Sequence, residues 1–183
     1  MAIDYKFNLK NLDEGGFFVK PQFFDEKDFK MILNKVPKLK YKETYQPADT
    51  YYGNKYQAYP CWENDNKVFD KLFAKKIKEY FGREAQNLYI VVRKTLSSEV
   101  KKSKSNAPIS FTHKDESRYA GVYYLDQTVT GGTAFFENSW DKCPDITMGA
   151  YPNRLVAYSG RRFHAAMHDF TFDTRYVIVI FFD

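Results

Sequence analysis

His113 and Asp115 are separated by a single residue in the segment "ISFTHKDES", where an alternating apolar run ends. Because side chains alternate across an extended strand, Ile109, Phe111, His113 and Asp115 would lie on one face. Apolar residues followed by an imidazole and a carboxylate would place the polar pair at the mouth of a barrel. The spacing predicts two metal ligands at a rigid strand end, and the motif alone has low specificity.

The other two histidines, His164 and His168, lie in the segment "SGRRFHAAMHDF". This segment follows one predicted strand and precedes the last, so it could return a second imidazole to the same barrel mouth. Two histidines and one carboxylate on one face of an ion leave coordination positions open, as in non-haem Fe(II) oxygenases. An alternative uses His164 and His168 as a helical HxxxH pair that binds zinc together with His113 for hydrolysis.

Arg175 begins the last predicted strand, "TRYVIVIFFD", whose two faces are otherwise apolar. Its planar guanidinium fits a carboxylate in a bidentate manner. A small dicarboxylate that chelates the metal at one end could place its far carboxylate at Arg175. The competing interpretation is an arginine at a strand start that reaches solvent or a carboxylate of the protein.

Two helices are predicted in the first half of the chain. Asp25 is placed to cap a helix over "EKDFKMILNKV", after a short strand in "GGFFVKPQFF". In "NKVFDKLFAKKIKEYFG" an apolar stripe at helical spacing ends at Gly82, which favours a second helix. The tyrosine-rich stretch from Tyr41 to Trp62 has no sustained period and predicts a long ordered excursion, equally suited to covering a core or a binding site.

Beyond Gly82 the sequence changes to short strand-like runs separated by turn-forming residues. The runs are "LYIVVRKT", "PISFTH", "YAGVYYLD", "GTAFFEN", "NRLVAYS" and "TRYVIVIFF". No helical period interrupts them, so we expect an α+β protein in which helices precede an antiparallel sandwich or barrel. We expect one domain over 1–183, with helical support and a candidate lid in 1–85 and the β core in 86–183.

The 183-residue chain has a formal net charge of +5, which is compatible with an anionic partner. We interpret its dense basic cluster, "EVKKSKSNA", as a solvated loop in preference to a nucleic-acid arm. Cys61 and Cys143 form no CxxC pair, so a disulfide framework or cysteine zinc site has no support. We expect a soluble, cytoplasmic protein. A non-catalytic barrel that binds an anionic ligand or nucleic acid is the alternative from another functional class.

Four segments, in order along the chain, match a known family. They are "THKD", "AGVYYLDQTVTGGTAFFEN", "PNRLVAYSGRRFH" and "TRYVIVIFF", all within the second half of the chain. The chain resembles the 2-oxoglutarate and Fe(II)-dependent oxygenase superfamily, in particular its prolyl 4-hydroxylase-like branch, which includes small bacteriophage-encoded members. The resemblance implies a double-stranded β-helix (jelly-roll) core, and a phage-type member would act inside an infected bacterial host.

The resemblance also implies a set of ligands. His113, Asp115 and His164 would bind Fe(II), and the spacing to Arg175 selects His164 over His168. Arg175 would bind the distal carboxylate of the co-substrate 2-oxoglutarate.

One departure from the family concerns the remaining co-substrate contacts. The family often has a tyrosine on the strand before the HxD motif, where this chain has Arg93 and Lys94. Three tyrosines are candidates for that contact: Tyr89, Tyr123 and Tyr124. The loop before the motif often lies near the substrate in this branch, which makes three lysines candidate substrate contacts: Lys101, Lys102 and Lys104.

The activity that the resemblance implies is oxygen-dependent hydroxylation. O2 and 2-oxoglutarate would be consumed, succinate released and a C–H bond hydroxylated, with ascorbate as an optional reductant. Because Asp115 is a carboxylate, hydroxylation is favoured over halogenation. A prolyl residue in a peptide or protein is the first expected substrate, and a small molecule is the second. We expect neither a nucleic acid nor a membrane as partner.

Overall fold

Two antiparallel sheets that pack face to face form the centre of the protein. The computed structural model describes residues 9–45, 60–102, 112–126, 131–138, 143–168 and 171–183. The helices are α1 (Leu9–Asp13), α2 (Glu26–Lys35), α3 (Asp70–Phe81) and α4 (Ser97–Lys102). The strands are β1 (Phe18–Lys20), β2 (Lys42–Tyr45), β3 (Pro60–Asn64), β4 (Tyr89–Leu96), β5 (Tyr119–Tyr124), β6 (Gly132–Phe136), β7 (Ile146–Gly149), β8 (Arg154–Ser159), β9 (Phe163–Met167) and β10 (Thr174–Phe182).

Within these ranges, the larger sheet has seven strands in the order β1-β8-β5-β10-β4-β3-β2, and the smaller has three in the order β7-β6-β9. Phe135 of β6 packs with Tyr124 of β5 and Tyr158 of β8, which joins the facing surfaces of the two sheets. The mixed helix and sheet composition and the antiparallel sandwich agree with the predicted α+β jelly-roll class.

The helices cover the outer face of the large sheet. Phe73, Ile77 and Phe81 of α3 pack in one buried cluster with Ile178 and Ile180 of β10. Burial of this apolar stripe, not helix propensity alone, stabilises α3 against the sheet. The strand β10 therefore buries both faces: its even-numbered residues face the helices and its odd-numbered residues face the small sheet, as its alternation predicted.

The predicted N-cap of α2 and the predicted C-terminal end of α3 are confirmed, whereas α3 begins at Asp70, four residues after the start of its predicted stretch. The Asp25 side chain accepts a hydrogen bond from the Asp28 backbone N–H at 2.9 Å and so caps α2. The helix α3 ends at Gly82, whose left-handed backbone (φ 72°) lets its N–H donate to the Lys78 carbonyl.

Several elements were not expected from the sequence. Part of the predicted basic loop is helical: α4 buries Val100 against Cys61, while residues 103–111 lie outside the described part of the protein. The ends of the Tyr41 to Trp62 excursion form β2 and β3, which extend the large sheet; residues 46–59 lie outside the described ranges. The strands β7 and β9, and the helix α1, were also missed.

Asn153 links the segment before α2 to the large sheet. Its Oδ1 accepts from the Phe24 N–H (3.0 Å) and the Tyr123 hydroxyl (2.8 Å), and its Nδ2 donates to the Phe24 carbonyl (2.8 Å). The residue adopts a left-handed backbone (φ 58°) that asparagine tolerates better than most residues. Within the described residues, no helix is long and apolar enough to cross a membrane.

We predict that Asn153→Ala lowers the free energy of unfolding by about 3 kcal/mol, because it leaves a buried N–H and hydroxyl unsatisfied and puts alanine in the left-handed region. Urea denaturation measures this. The matched control is Asn87→Ala, at another left-handed asparagine whose side chain makes an exposed hydrogen bond with Asp183. It should cost about 1 kcal/mol. Equal losses for the two variants would contradict the role given to Asn153.

Candidate metal centre

The backbones of His113 and His164 form an antiparallel pair. The His113 N–H donates to the His164 carbonyl and the His164 N–H donates to the His113 carbonyl, both at 2.9 Å. Directly opposed residues of an antiparallel pair project to the same side of the sheet. Their rings accordingly lie 4.4 Å apart, centre to centre. On its other side His164 pairs with Phe135 of β6, so the small sheet fixes its position.

Asp115 is positioned by the turn that follows β8. Its backbone N–H donates to the Gly160 carbonyl at 2.8 Å. A Cβ atom at position 160 would lie 2.1 Å from the Ser117 carbonyl oxygen and 3.3 Å from the Asp115 Cβ. The close approach of the two segments therefore requires glycine at 160, and it brings the carboxylate beside the histidine pair.

The potential ligand atoms of His113, Asp115 and His164 lie within 4.8 Å of one another. The Nε2 atom of His113 is 3.8 Å from one Asp115 oxygen, and the Nε2 atom of His164 is 3.3 Å from the other. The structure thus brings together the three residues that were predicted as ligands from the sequence.

The tautomer of His164 makes its Nε2 atom an acceptor. Its Nδ1 lies 2.9 Å from the Arg162 carbonyl, and because a carbonyl only accepts, Nδ1 carries the ring proton. Burial lowers the pKa of His164 to about 4, so the ring is neutral at pH 7. The Nε2 lone pair therefore points at a carboxylate oxygen, Oδ2 of Asp115, that is itself buried and has no hydrogen-bond partner among the described residues.

Two buried acceptors that face each other are unfavourable without a cation or proton between them. Burial raises the pKa of the Asp115 carboxyl above its usual range, and the charges of His113 and Arg93 lower it. A divalent cation between the three side chains would satisfy both acceptors. The residues present therefore fit a metal ion held by two nitrogens and one oxygen.

A cavity of about 360 Å³ lies between the two sheets and includes these three residues. Inward-facing residues of β10 form one wall: Arg175, Val177, Val179 and Phe181. The opposite side is lined by alternate residues of β9 and the end of its strand: His164, Ala166 and His168. The alternation of β9 therefore places both histidines on the cavity side.

Arg175 occupies the end of the cavity away from the three ligands. Its guanidinium donates to the carbonyl oxygens of Met167 (2.7 Å) and Gly132 (3.5 Å). These backbone contacts orient the guanidinium, and the side chain lines the cavity. Such a group is suited to a carboxylate ligand.

Of the three tyrosines predicted as candidate co-substrate contacts, Tyr89 is exposed at the start of β4 and is not among the residues that line the cavity. The other two lie on opposite faces of β5. Tyr124 is on the inner face, where its hydroxyl lies 2.6 Å from that of Thr133, a residue of the cavity wall. Tyr123 is on the outer face, in the aromatic core under the helices, and binds Asn153. The structure therefore places Tyr124 behind the cavity wall and does not bring Tyr123 to the cavity.

The alternative zinc site lacks the helix that it requires. Residues 163–167 form β9, so His164 and His168 are roughly 13 Å apart along an extended backbone, not adjacent on a helical turn. Of the two histidines, His164 belongs to the cluster of possible metal ligands found among the described residues, whereas His168 lies near Arg175.

No protein-family model matches the sequence, and no curated protein does. Solved structures do match. An oxidoreductase of the 2OG-Fe(II) oxygenase family from Burkholderia pseudomallei is 12% identical over 95% of this chain and 88% of its own, with a TM-score of 0.62. A prolyl-4-hydroxylase from Pseudomonas putida is 11% identical over 95% of each chain, with a TM-score of 0.55. HygX from Streptomyces hygroscopicus, solved with nickel, 2-oxoglutarate and hygromycin B bound, is 10% identical over 98% of this chain and 86% of its own (TM-score 0.63).

The protein has the fold of the 2OG-Fe(II) oxygenases. This finding confirms the fold that was predicted from the sequence, and identities this low establish the fold alone. The cavity also has polar lining residues to which sequence reasoning gave no role in the site. They are Thr44, Glu63, Arg93, Thr95, Thr133 and Tyr158. Arg93 and Thr95 are two positions apart on β4, so side-chain alternation places both on the inner face. This alternation was the sequence signal that could have indicated them as cavity residues.

We predict that Gly160→Ala weakens the binding of Co(II) to the protein roughly tenfold or more, because the added methyl group displaces the segment that positions Asp115. Gly149→Ala is the control, since a Cβ there meets no atom within 4 Å. Calorimetric titration with Co(II) distinguishes the two variants. Unchanged affinity in Gly160→Ala would show that the close approach at position 160 does not set the ligand geometry.

His168 gives a pH-dependent prediction, because burial and the nearby Arg175 charge lower its pKa to about 4 in the folded protein. Between pH 7 and pH 5 the unfolded protein gains a proton at this position that the folded protein does not, so stability falls. For the metal-free protein, urea unfolding at the two pH values should show that the wild type loses about 2 kcal/mol more than His168→Gln. Equal losses in both proteins would mean that His168 titrates normally in the fold.

Proposed function

We propose that the protein is a non-haem Fe(II), 2-oxoglutarate-dependent dioxygenase that hydroxylates a C–H bond of its substrate. The observation that supports this proposal most directly is the pair of buried acceptors, His164 Nε2 and Asp115 Oδ2, that face each other at 3.3 Å. A bound cation removes the repulsion between them. The oxygenase fold, with these side chains at its cavity, supports the choice of chemistry.

His113, Asp115 and His164 would hold the metal ion. Two imidazoles and one carboxylate suit Fe(II) and leave coordination positions for a keto acid and O2, whereas a structural zinc site would be closed by a fourth protein ligand. When bound, Fe(II) with 2-oxoglutarate and O2 supplies oxidative decarboxylation to succinate coupled to hydroxylation. HygX and the epimerase SnoN are related in fold and were solved with 2-oxoglutarate or α-ketoglutarate and a metal, which supports the same cofactors here.

Arg175 would bind the distal carboxylate of 2-oxoglutarate. The Met167 and Gly132 carbonyls hold its guanidinium at the cavity end, so little side-chain entropy is lost when an anion binds. The hydroxyl of Thr133, supported from behind by Tyr124, lines the same cavity and can add a hydrogen bond. His168 keeps a neutral ring beside Arg175 and so adds no second positive charge there at pH 7.

The protein's main contribution to the reaction would be orientation and the exclusion of water. Val177, Val179 and Phe181 form an apolar wall along the cavity, which limits water beside the reacting groups. The expected substrate includes a prolyl residue in a peptide or protein, or a small molecule. Proteins of similar fold bind both kinds: a Trichoplax adhaerens prolyl hydroxylase is in complex with a peptide fragment, and HygX with hygromycin B.

Anaerobic addition of Fe(II) and 2-oxoglutarate should produce a weak visible charge-transfer band in the wild type, because the keto acid chelates a metal with open positions. Asp115→Ala should abolish the band and the 2-oxoglutarate-dependent formation of succinate. Asp65→Ala, an exposed aspartate outside the cavity, is the matched control and should retain both. The proposal is wrong if the wild type gives no band, or if Asp115→Ala still converts 2-oxoglutarate to succinate.

A further inference from the structure

Tyr158 lies on the inner face of β8 and lines the cavity, and its ring is held by packing alone. The ring centroid is 4.9 Å from that of Phe135, in an edge-on arrangement at 74°. On another side it is 4.8 Å from the centroid of the His164 imidazole, at 59°. The whole residue is 1% exposed. Contacts with β6 and β9 of the facing sheet therefore fix where the phenol hydroxyl lies.

The hydroxyl of Tyr158 differs from those of the buried tyrosines on the neighbouring strand. The Tyr123 hydroxyl donates to Asn153 at 2.8 Å, and the Tyr124 hydroxyl lies 2.6 Å from that of Thr133. Within the described ranges, no group of the protein forms a hydrogen bond with the Tyr158 hydroxyl. A buried hydroxyl without a partner is unfavourable. Because Tyr158 lines the cavity, a ligand bound there can supply the partner.

The surroundings of the hydroxyl indicate which end of the cavity it serves. Burial raises the pKa of Tyr158, and the charge of Asp115 raises it further, whereas Arg93 lowers it. Arg93 itself forms an ion pair with Glu63 at 2.6 Å. The hydroxyl is therefore within electrostatic range of one candidate metal ligand, and its ring packs on another, His164. A protonated hydroxyl at this place is a neutral hydrogen-bond donor beside the metal end of the cavity.

We propose that Tyr158 donates a hydrogen bond to the oxo-acid end of 2-oxoglutarate, the end that would chelate the metal ion. This inference rests on the proposed dioxygenase function. The oxo acid has carboxylate and oxo oxygens, which are all acceptors, whereas a C–H bond of the substrate offers no acceptor to a hydroxyl. Arg175 would hold the distal carboxylate, so the two ends of the co-substrate would be positioned by different strands, β8 and β10.

The first test is the stability of Tyr158→Phe, which keeps the ring and its packing and removes the hydroxyl. In the metal-free protein its urea-unfolding midpoint should equal or exceed that of the wild type, because no hydrogen bond within the protein is lost. Tyr123→Phe is the matched control: it loses the contact with Asn153, and its midpoint should fall. If Tyr158→Phe lowers the midpoint as far as Tyr123→Phe does, the hydroxyl has a partner within the protein and the inference is overturned.

The second test is an anaerobic titration of the Fe(II)-loaded protein with 2-oxoglutarate, followed by the visible charge-transfer band. Tyr158→Phe should raise the Kd for 2-oxoglutarate roughly tenfold, because a hydrogen bond to a charged acceptor is lost. The band should also move to shorter wavelength, since a donated hydrogen bond lowers the energy of the acceptor orbital on the oxo acid. Tyr123→Phe should keep the wild-type Kd and band. An unchanged Kd and band position in Tyr158→Phe would refute the contact.

Calorimetric titration with Co(II) separates this role from an effect on the metal ion itself. Tyr158→Phe and the wild type should bind Co(II) with the same affinity, because the hydroxyl would contact the co-substrate and not the three ligands. A tenfold loss of Co(II) affinity in Tyr158→Phe would assign the hydroxyl to the ligand set and overturn the inference. Failure of the dioxygenase proposal gives a different result: the wild type would then show no band.

Discussion

The site depends on two backbone hydrogen bonds between His113 and His164. These bonds set the register between the two residues. Both imidazoles therefore project to the same side of the sheet once the two backbone segments have paired. The strand β9, which contains His164, also pairs with β6, so the small sheet holds His164 in place. Backbone pairing therefore determines where the two imidazoles lie relative to each other.

Charge is distributed along the cavity in a way that separates its functions. The carboxylate of Asp115 is at one end with two imidazoles, and the guanidinium of Arg175 is at the other. The Glu63 and Arg93 pair is on the wall between β3 and β4, and apolar β10 residues lie between these groups. Low dielectric strengthens each interaction inside such a space. The charged groups of the cavity therefore lie at separate places along its walls.

The fold and most of the site could be predicted because their signals are local. Helix capping by Asp25, the stripe of α3 and the alternation of β10 depend on neighbours in sequence. The elements that were missed depend on distant partners. No local pattern in β9 predicts a strand: it becomes one because β6 pairs with it. The inward side of Tyr124 and the outward side of Tyr123 depend on which face of β5 receives the helices, and the sequence of β5 alone is apolar on both faces.

The Glu63 and Arg93 pair in the cavity wall illustrates the same limit. Glu63 directly follows the Tyr41 to Trp62 excursion with no local pattern to mark it, and only its pairing with β4 puts it beside Arg93. In the sequence Arg93 stands out only as a departure from the family's usual tyrosine, with no role of its own. Motifs therefore predicted the three candidate ligands that the structure brings together, whereas the placement of Glu63 beside Arg93 follows from strand register.

The large sheet ends in β1, with three residues, and in β2, with four. Unpaired backbone groups at a sheet border can recruit a strand from another molecule, and the gain from such recruitment grows with the number of backbone bonds available. Strands this short offer few of them. Among the residues that the structure describes, both border strands of the large sheet therefore offer neighbouring copies few backbone groups with which to pair.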